Sequence, residues 1–506
     1  MARPAAAAAF ALLLAGAAGC VYSPRGRCDA AADCATEERC DAGVCVPSKT
    51  AQIGVDPSSL TSVTWAQLLG ASNATFEVDS IGADLAGNVV VAGAVDAAFD
   101  FAPSALGTGA FVAKRASVDG AGVWAVSFPS FSHGELTSAI LPRGTVFEAA
   151  VLPGGDVFFA GTAFDRTAIG TVLAYDPPIA GALVFGRLDV GGNPLWARAV
   201  ADTHPTSPLV PAAVTVNGAG DLLVAGAGSG DFGCASGDTG GATFAAALSG
   251  LDGSCLWSRG FGTQTLSDLE PSGATSVVVA GVCTPAGAPF DPGGATTCTR
   301  GLFVAVLSGG NGATRSLRTT GGTGTVSAVG DLTIAPDGHT TVVGNASGVV
   351  DFGNGGVDFA TEGSFAVTFD AAGAATVVRP VEAPYAADPD ELAFSRCAYD
   401  PTGRLWIAGR YVGEPTLGGI RFSACRRPDC LAASFLARLE ADGSVSSFLP
   451  IRAALYPGGG AYVDDLALFA TSGTVAHALR FKGVAQVGGK TWSSAAKGLG
   501  ILRVVP

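Results

Sequence analysis

The chain has 506 residues, of which 48% are apolar and only 14% charged, with 72 Gly and 28 Pro. Soluble proteins are about a quarter charged, so small uncharged side chains must cover much of this surface. A net charge of −14 and a sequence pI near 4.7 argue against nucleic acid, whose binders need clustered Lys and Arg to displace counterions. Twelve Cys and four scattered His point to an oxidising compartment rather than to a cytosolic thiol or metal enzyme.

Residues 1–20, MARPAAAAAFALLLAGAAGC, place one Arg before an apolar run that is too short to span a bilayer and has the layout of a secretory signal peptide. Ala17-Ala18-Gly19-Cys20 resembles a bacterial lipobox, although Leu is more usual where Ala17 stands. The resemblance implies acylation of Cys20, which becomes the new N-terminus, and Val21, in place of a retaining Asp, implies the outer membrane. Ordinary cleavage after Ala15-Gly16-Ala17 is the alternative and leaves Cys20 a spare thiol. No later segment reaches eighteen unbroken apolar residues, so a mean hydropathy of +0.40 indicates a well-filled core.

Cys28, Cys34, Cys40 and Cys45 lie within eighteen residues. A segment this short cannot bury a core, so two disulfides are expected to restrict its unfolded state. The alternative, a four-thiolate zinc site, lacks Cys-x2-Cys pairs and fits an exported chain poorly. The expected layout is a signal peptide at 1–19, a lipid-anchored tether at 20–27, a Cys-rich module at 28–45 and a linker at 46–60. The module resembles the small Cys-rich spacers that follow the lipobox in bacterial surface lipoproteins. Residues 61–506 form the main domain.

That domain repeats. A hydrophobic strand ending in Ala-Gly or Val-Gly recurs as GNVVVAG (87–93), GDVFFAG (155–161), GDLLVAG (220–226), SVVVAG (276–281), GHTTVVG (338–344) and GRLWIAG (403–409), with terminal glycines 55 to 68 residues apart. A degenerate copy begins at Gly473. Each unit runs from an apolar inner strand through this strand and a variable loop to a third strand such as AFVAKRA (110–116) or SFLARLE (434–440), then through an Asp-Gly or Gly-Gly turn to a fourth. Four strands per unit of this length predict an all-β, seven-bladed β-propeller of four-stranded antiparallel blades.

The fourth strand carries Trp124-Ala125, Trp196-Ala197 and Trp257-Ser258 in the first three units. Trp65-Ala66 repeats this pair before any first strand, and the last unit stops at Pro506 without a fourth. Segment 62–70 is therefore expected to complete the last blade and close the ring, removing an exposed edge. The units resemble the SBBP-type bacterial β-propeller repeat through the G-N-hydrophobic-A-G strand, the Asp-Phe pairs at 100–101, 231–232 and 351–352, and Phe111-Val112-Ala113-Lys114. That resemblance covers about residues 62–506 and implies surface display with no shared catalytic residue.

Aligning the repeated glycines sets Cys397 level with Ile81, Ala149, Val214, Leu269, Leu332 and Ala467, so it is expected to be an unpaired core thiol. Cys283 with Cys298, and Cys425 with Cys430, read as local loop staples. Cys234 and Cys255 are left to each other, although they flank a third strand whose two ends would stand about 20 Å apart. His133, His204, His339 and His477 read as solvated surface residues, too few of which converge to hold zinc. Glu77, Asp79, Asp268, Glu270, Asp388, Asp390, Glu391, Asp464 and Asp465 gather where the chain enters new blades. They read as solvated loop acids out of register with one another; convergence on the channel would instead suit Ca²⁺. The Gly-Gly pairs at 154–155, 191–192 and 321–322 read as β-turns. With no phosphate cradle, nucleophile elbow or nucleophile–base pair, the expectation is a non-enzymatic, monomeric surface lipoprotein with no cofactor and no metal. It would recognise a protein or glycan, contacting the membrane only through its lipid and binding no nucleic acid; the alternative is a propeller-type hydrolase or lyase using a metal in the axial channel.

Overall fold

The computed structural model describes residues 38–41, 44–47 and 62–505, apart from 70–75, 102–103, 129–146, 164–166, 176–180, 202–207, 235–241, 263, 284–300, 360–362, 381–391, 414, 418–419, 422–432, 441–443, 455–461, 472–473 and 488–489. The chain divides into two compact units, residues 1–49 and 50–506. In the small one, Glu38–Asp41 and Val44–Pro47 form an antiparallel hairpin in which Cys40 stands opposite Cys45. Cys20, Cys28 and Cys34 lie outside the described residues.

The large unit is all-β, with no helix among the described residues. Five separate four-stranded antiparallel sheets follow one another along the chain, each taking its strands in sequence order. Their innermost strands are Phe76–Ala83, Phe147–Val151, Val210–Val216, Thr265–Ser272 and Thr325–Ile334. An eight-stranded sheet completes the series with two antiparallel groups of four. One runs from Leu392–Tyr399 to Val445–Ala454; the other contains Tyr462–Thr471, Thr474–Val487, Lys490–Val505 and the N-terminal strand Ser62–Leu69. Ser62 pairs with Val505 and Leu69 with Leu499, so the expected N-terminal strand does lie beside the last strand of the chain.

The sheets meet face to face through apolar layers. Second strands such as Val89–Val95 and Val157–Ala163 are therefore buried at every position rather than alternately. Each layer combines neighbouring units: Trp124, Phe128 and Val112 with Phe159 and Val184, for example. The final layer sets Ala476, Ala478, Leu499 and Ile501 against Val91, Phe111 and Ala113 of the first unit. The innermost strands likewise touch one another in chain order, and Tyr462–Thr471 touches Phe76–Ala83. Among the described residues no ladder links the first sheet to the last; apolar packing and side-chain bonds join them.

A repeated lock fastens each of the first three units to the next. The indoles of Trp124, Trp196 and Trp257 donate to the carbonyls of Val190, Gly250 and Gly309, in the following unit's third-to-fourth strand turn. Each ring also lies where a Cβ on Gly192, Gly253 or Gly312 would fall, and those glycines have φ of 84°, 70° and 65°. Two residues after the Trp, Arg198 and Arg259 donate to Asp252 and Gly312 carbonyls. Gln67, two residues after Trp65, makes the same bond to the Asp119 carbonyl, and Arg503 donates to the Ser117 carbonyl. The junction between last and first units thus repeats the junctions between the others.

The recurring strand-end glycine has a steric cause. Gly93, Gly226, Gly281, Gly344 and Gly409 each stand opposite a β-bulge in the inner strand, and each is cross-strand partner to a third-strand Phe: Phe111, Phe244, Phe303, Phe365 or Phe435. A Cβ on Gly281 would collide with the Thr265 carbonyl and the Phe303 ring. The Asp-Phe elements support the same aromatic, with ring centroids 5.0 Å apart for Phe232–Phe244 and for Phe352–Phe365. Among the described residues the second unit's inner strand has no bulge, and the pair is exchanged: Gly186 lies on the third strand against Phe159 on the second.

Cys234 and Cys255 are bonded, with Cα atoms 5.1 Å apart. The loop leaving the second strand runs past Phe232 to the start of the fourth, which removes the strand-length objection. Cys283 is also in a disulfide, while Cys298, Cys425 and Cys430 lie outside the described residues. Cys397 is buried and unpaired, opposite Ile407 as Ile81 is opposite Val91, in keeping with the glycine alignment. Gly321–Gly322 is not a turn: it pairs with Asp351 and Val350 as a short strand. Gly281→Ala should lower stability by about 1–3 kcal/mol through overpacking. Gly154→Ala, with nothing within 4 Å of the new Cβ, should leave the urea midpoint unchanged; equal midpoints for the two variants would refute the steric account.

Candidate functional site at the axis

The bulges determine what faces the centre. In the first, fourth, fifth and sixth units the extra residue is Asp79, Ser267, Gly330 or Ser395, at the point where the ladder register shifts. The residue that follows is Ser80, Asp268, Asp331 or Arg396, and Glu148 holds the same position in the unbulged second unit, since each is followed by the aligned core residue. Bulges commonly re-aim a side chain beside a site. Here they bring Asp268, Asp331, Glu148 and Arg396 together with Glu270, two residues beyond Asp268, close enough to shift one another's ionisation.

Three expectations are corrected. Asp79, Asp268 and Glu270 lie half-buried on inner strands and are not solvated loop acids. Asp268 is also in register with Asp331 and Glu148, so equivalent carboxyls do form a partial ring. The glycine alignment contained this signal: Ser80, Glu148, Asp268, Asp331 and Arg396 each stand thirteen residues before the repeated glycine. His477, read as a surface residue, is fully buried opposite Leu468 and Leu502. His339 is half-exposed and pairs with Asp337 at 2.9 Å. His133, His204, Asp388, Asp390 and Glu391 lie outside the described residues; Glu77, Asp464 and Asp465 are on strands, but their side chains are not described.

An inner strand presents its free edge to its neighbour, and those N–H groups need acceptors. Side chains from the preceding unit supply them. Asp79 Oδ2 accepts from Phe147 N at 3.0 Å and Ser80 Oγ from Ala149 N at 2.7 Å. Asp268 Oδ2 accepts from Leu332 N at 2.8 Å, and Asp331 Oδ2 from Cys397 N at 2.7 Å. Thr333 Oγ1 accepts from Tyr399 N at 3.2 Å, Arg396 donates to the Gly330 carbonyl at 2.9 Å, and Thr215 donates to Glu270 at 3.3 Å.

Crowding carboxyls in one poorly solvated place favours their neutral forms. Burial, then repulsion from Asp79, pushes Glu148 well above the usual carboxylate range, against the pull of Arg396. Burial and Asp331 do the same to Asp268. Glu270 is pushed up to about 8 by burial and Asp331, and Asp331 is raised by burial against the opposing effect of Arg396. Leu332 N donates to Asp268 Oδ2 at 2.8 Å and to Asp331 Oδ1 at 3.1 Å, so the two carboxyls stand side by side at one amide. By contrast, exposed Asp252 is lowered to about 2 by its bonds from Ser254. Among the described residues, no three His, Cys, Asp or Glu are placed to hold a metal ion.

The sign of the pH dependence follows. Carboxyls raised in the folded chain retain protons that the unfolded chain releases, so their stabilisation is complete below about pH 4 and is lost as pH rises through the folded values. Thermal unfolding should therefore move to lower temperature between pH 5 and 9, and Glu270→Gln should make that decline shallower up to about pH 8. A melting temperature that climbs over this range would contradict the assignment.

No protein-family model matches the chain, and no curated protein matches it. Solved structures similar to it include quinohemoprotein alcohol dehydrogenase from Comamonas testosteroni, at 12% identity and a TM-score of 0.43, covering 90% of this chain and 78% of that one. The C-terminal WD40 domain of Sif2 matches at 7% identity and a TM-score of 0.39, covering 87% and 99%. BamB from Moraxella catarrhalis matches at 11% identity and a TM-score of 0.35, covering 86% and 97%.

Proposed function

We propose that this chain is an exported lipoprotein, acylated at Cys20, whose SBBP-like repeats build a seven-bladed propeller closed by the N-terminal strand and displayed at the outer membrane. In this reading it is a non-catalytic scaffold for a protein or glycan. One observation carries the recognition role. Val118, Val190 and Leu251 occupy the third-to-fourth strand turns of three successive units at 83%, 56% and 84% exposure. Val123, Leu195 and Leu256, each immediately before the locking Trp, are also exposed. Leu85 joins them at the same end of the first sheet, because Val89 pairs both with Ala83 and with Arg115. Aliphatic side chains repeated in register on one rim mark an interaction surface. The alternative, a propeller-type hydrolase or lyase with an axial metal, is favoured by the convergence of Glu148, Asp268, Glu270 and Asp331. Against it, Asp268 and Asp331 are already engaged with backbone N–H groups and Glu270 with the Thr215 hydroxyl.

Photo-cross-linkers at positions 118, 190 and 251 on intact cells should yield one shared adduct that is absent with the label at exposed Ser327. The same membrane-fraction protein should begin at Cys20 with diacyl or triacyl mass. Identical adducts at all four positions would refute the rim as the recognition surface; a lipid-free chain beginning at Ala18 would refute the anchor. Metal-dependent turnover of a lactone or glycan would favour the alternative.

A further inference from the structure

Asp268, Asp331 and Cys397 lie on three consecutive innermost strands and are joined in relay. Asp268 Oδ2 accepts from Leu332 N, next to Asp331, and Asp331 Oδ2 accepts from Cys397 N. Asp331 Oδ1 accepts from Leu332 N as well, at 3.1 Å, so this amide is bracketed by both carboxyls. On the far side Arg396 clasps the Gly330 carbonyl, within the bulge that turns Asp331 inward. Three neighbouring sheets thus meet at one pair of carboxyl groups.

We propose that this pair is a proton-operated latch: one proton shared by Asp268 and Asp331 fastens the fourth, fifth and sixth units at the axis, and its loss loosens that sector while the rest of the molecule stays folded. The balance is simple. The proton leaves the shared hydrogen bond for solvent, and two adjacent carboxylates remain with one fewer bond between them. Other ionisable groups near the pair are Glu270 on the fourth inner strand, Arg396, Cys397 and Tyr399 on the sixth, and Glu148 and Asp79 across the axis. The seventh inner strand carries Asp464 and Asp465. Arg396 is the one cation in this set, so a second negative charge on the pair has little to balance it. The upward displacement of both carboxyls by burial agrees with a proton being retained near neutral pH.

The equivalent junction between the first two units supplies an internal control. There the acceptor for Ala149 N is the Ser80 hydroxyl, which does not titrate. Amide hydrogen exchange of the full-length protein, corrected at each pH for base catalysis, should show Leu332 and Cys397 losing protection relative to Ala149 as pH rises from 6.5 to 9.5. The loss should approach about tenfold per pH unit once the shared proton titrates. Asp268→Asn should abolish the difference, since its amide can donate permanently to Asp331 while its oxygen still accepts from Leu332 N. The buried Cys397 thiol offers a second readout: its reaction with a thiol reagent, relative to the denatured chain, should rise over the same range in wild type and stay flat in the variant. A constant ratio among the three amides in wild type would overturn the proposal, and that measurement decides it even if Asp268→Asn fails to fold. An equal pH dependence in a folded Asp268→Asn protein would overturn it too.

Discussion

The free edge of each innermost strand is the constraint on which the rest of this structure depends. In an ordinary sheet a neighbouring strand would take those N–H groups; here the neighbour belongs to another sheet and offers side chains instead. That requirement explains why short acceptors such as Ser80, Asp268, Asp331 and Thr333 stand where they do, each answering an amide of the next unit. The bulge delivers them. It inserts one residue so that the following side chain turns to the axis, and the glycine and phenylalanine opposite accommodate the displaced backbone.

At the outer side the same units are held by a different chemistry. Indole donors and positive-φ glycines lock each fourth strand to the next unit's turn in the first three units. The fourth unit lacks the Trp but keeps the arginine, with Arg318 donating to the Ala372 carbonyl at 2.9 Å. Hydrogen-bonded locks at the rim and a crowded carboxyl cluster at the axis divide the work radially: pH acts on the centre, and steric substitutions act between the layers. Within the first unit the almost wholly buried Lys114–Asp84 pair, 2.8 Å apart and secured by Asn88, lets Lys114 donate across to the Gly155 carbonyl of the second at 3.4 Å.

Much of the fold could be read from repetition. The Ala-Gly strand ends, the orphan Trp65-Ala66 pair and the missing last strand together predicted the pairing of Ser62–Leu69 with Lys490–Val505, and one alignment placed Cys397 in the core. The axial carboxyls were misread because the bulge breaks the two-residue alternation by which strands are recognised. Leu266 and Leu269 are both buried yet three residues apart, so Asp268 and Glu270 looked like loop acids. Glu148, Asp331 and Arg396 stand one residue before the aligned core positions that include Cys397, where their own segments show no regular alternation to mark them. His477 was misread for another reason: nothing local in GTVAHALR shows that both faces of that strand are covered.

The organisation of the axis depends on its carboxyls being neutral where ordinary ones are charged. Its most direct test is a titration of carboxyl carbon resonances in protein labelled at Asp and Glu. Glu148 and Asp268 should titrate well above the ordinary carboxylate range and Glu270 near 8, while Asp252 is already ionised at pH 4. A spectrum in which every Asp and Glu has ionised by pH 5.5 would contradict it.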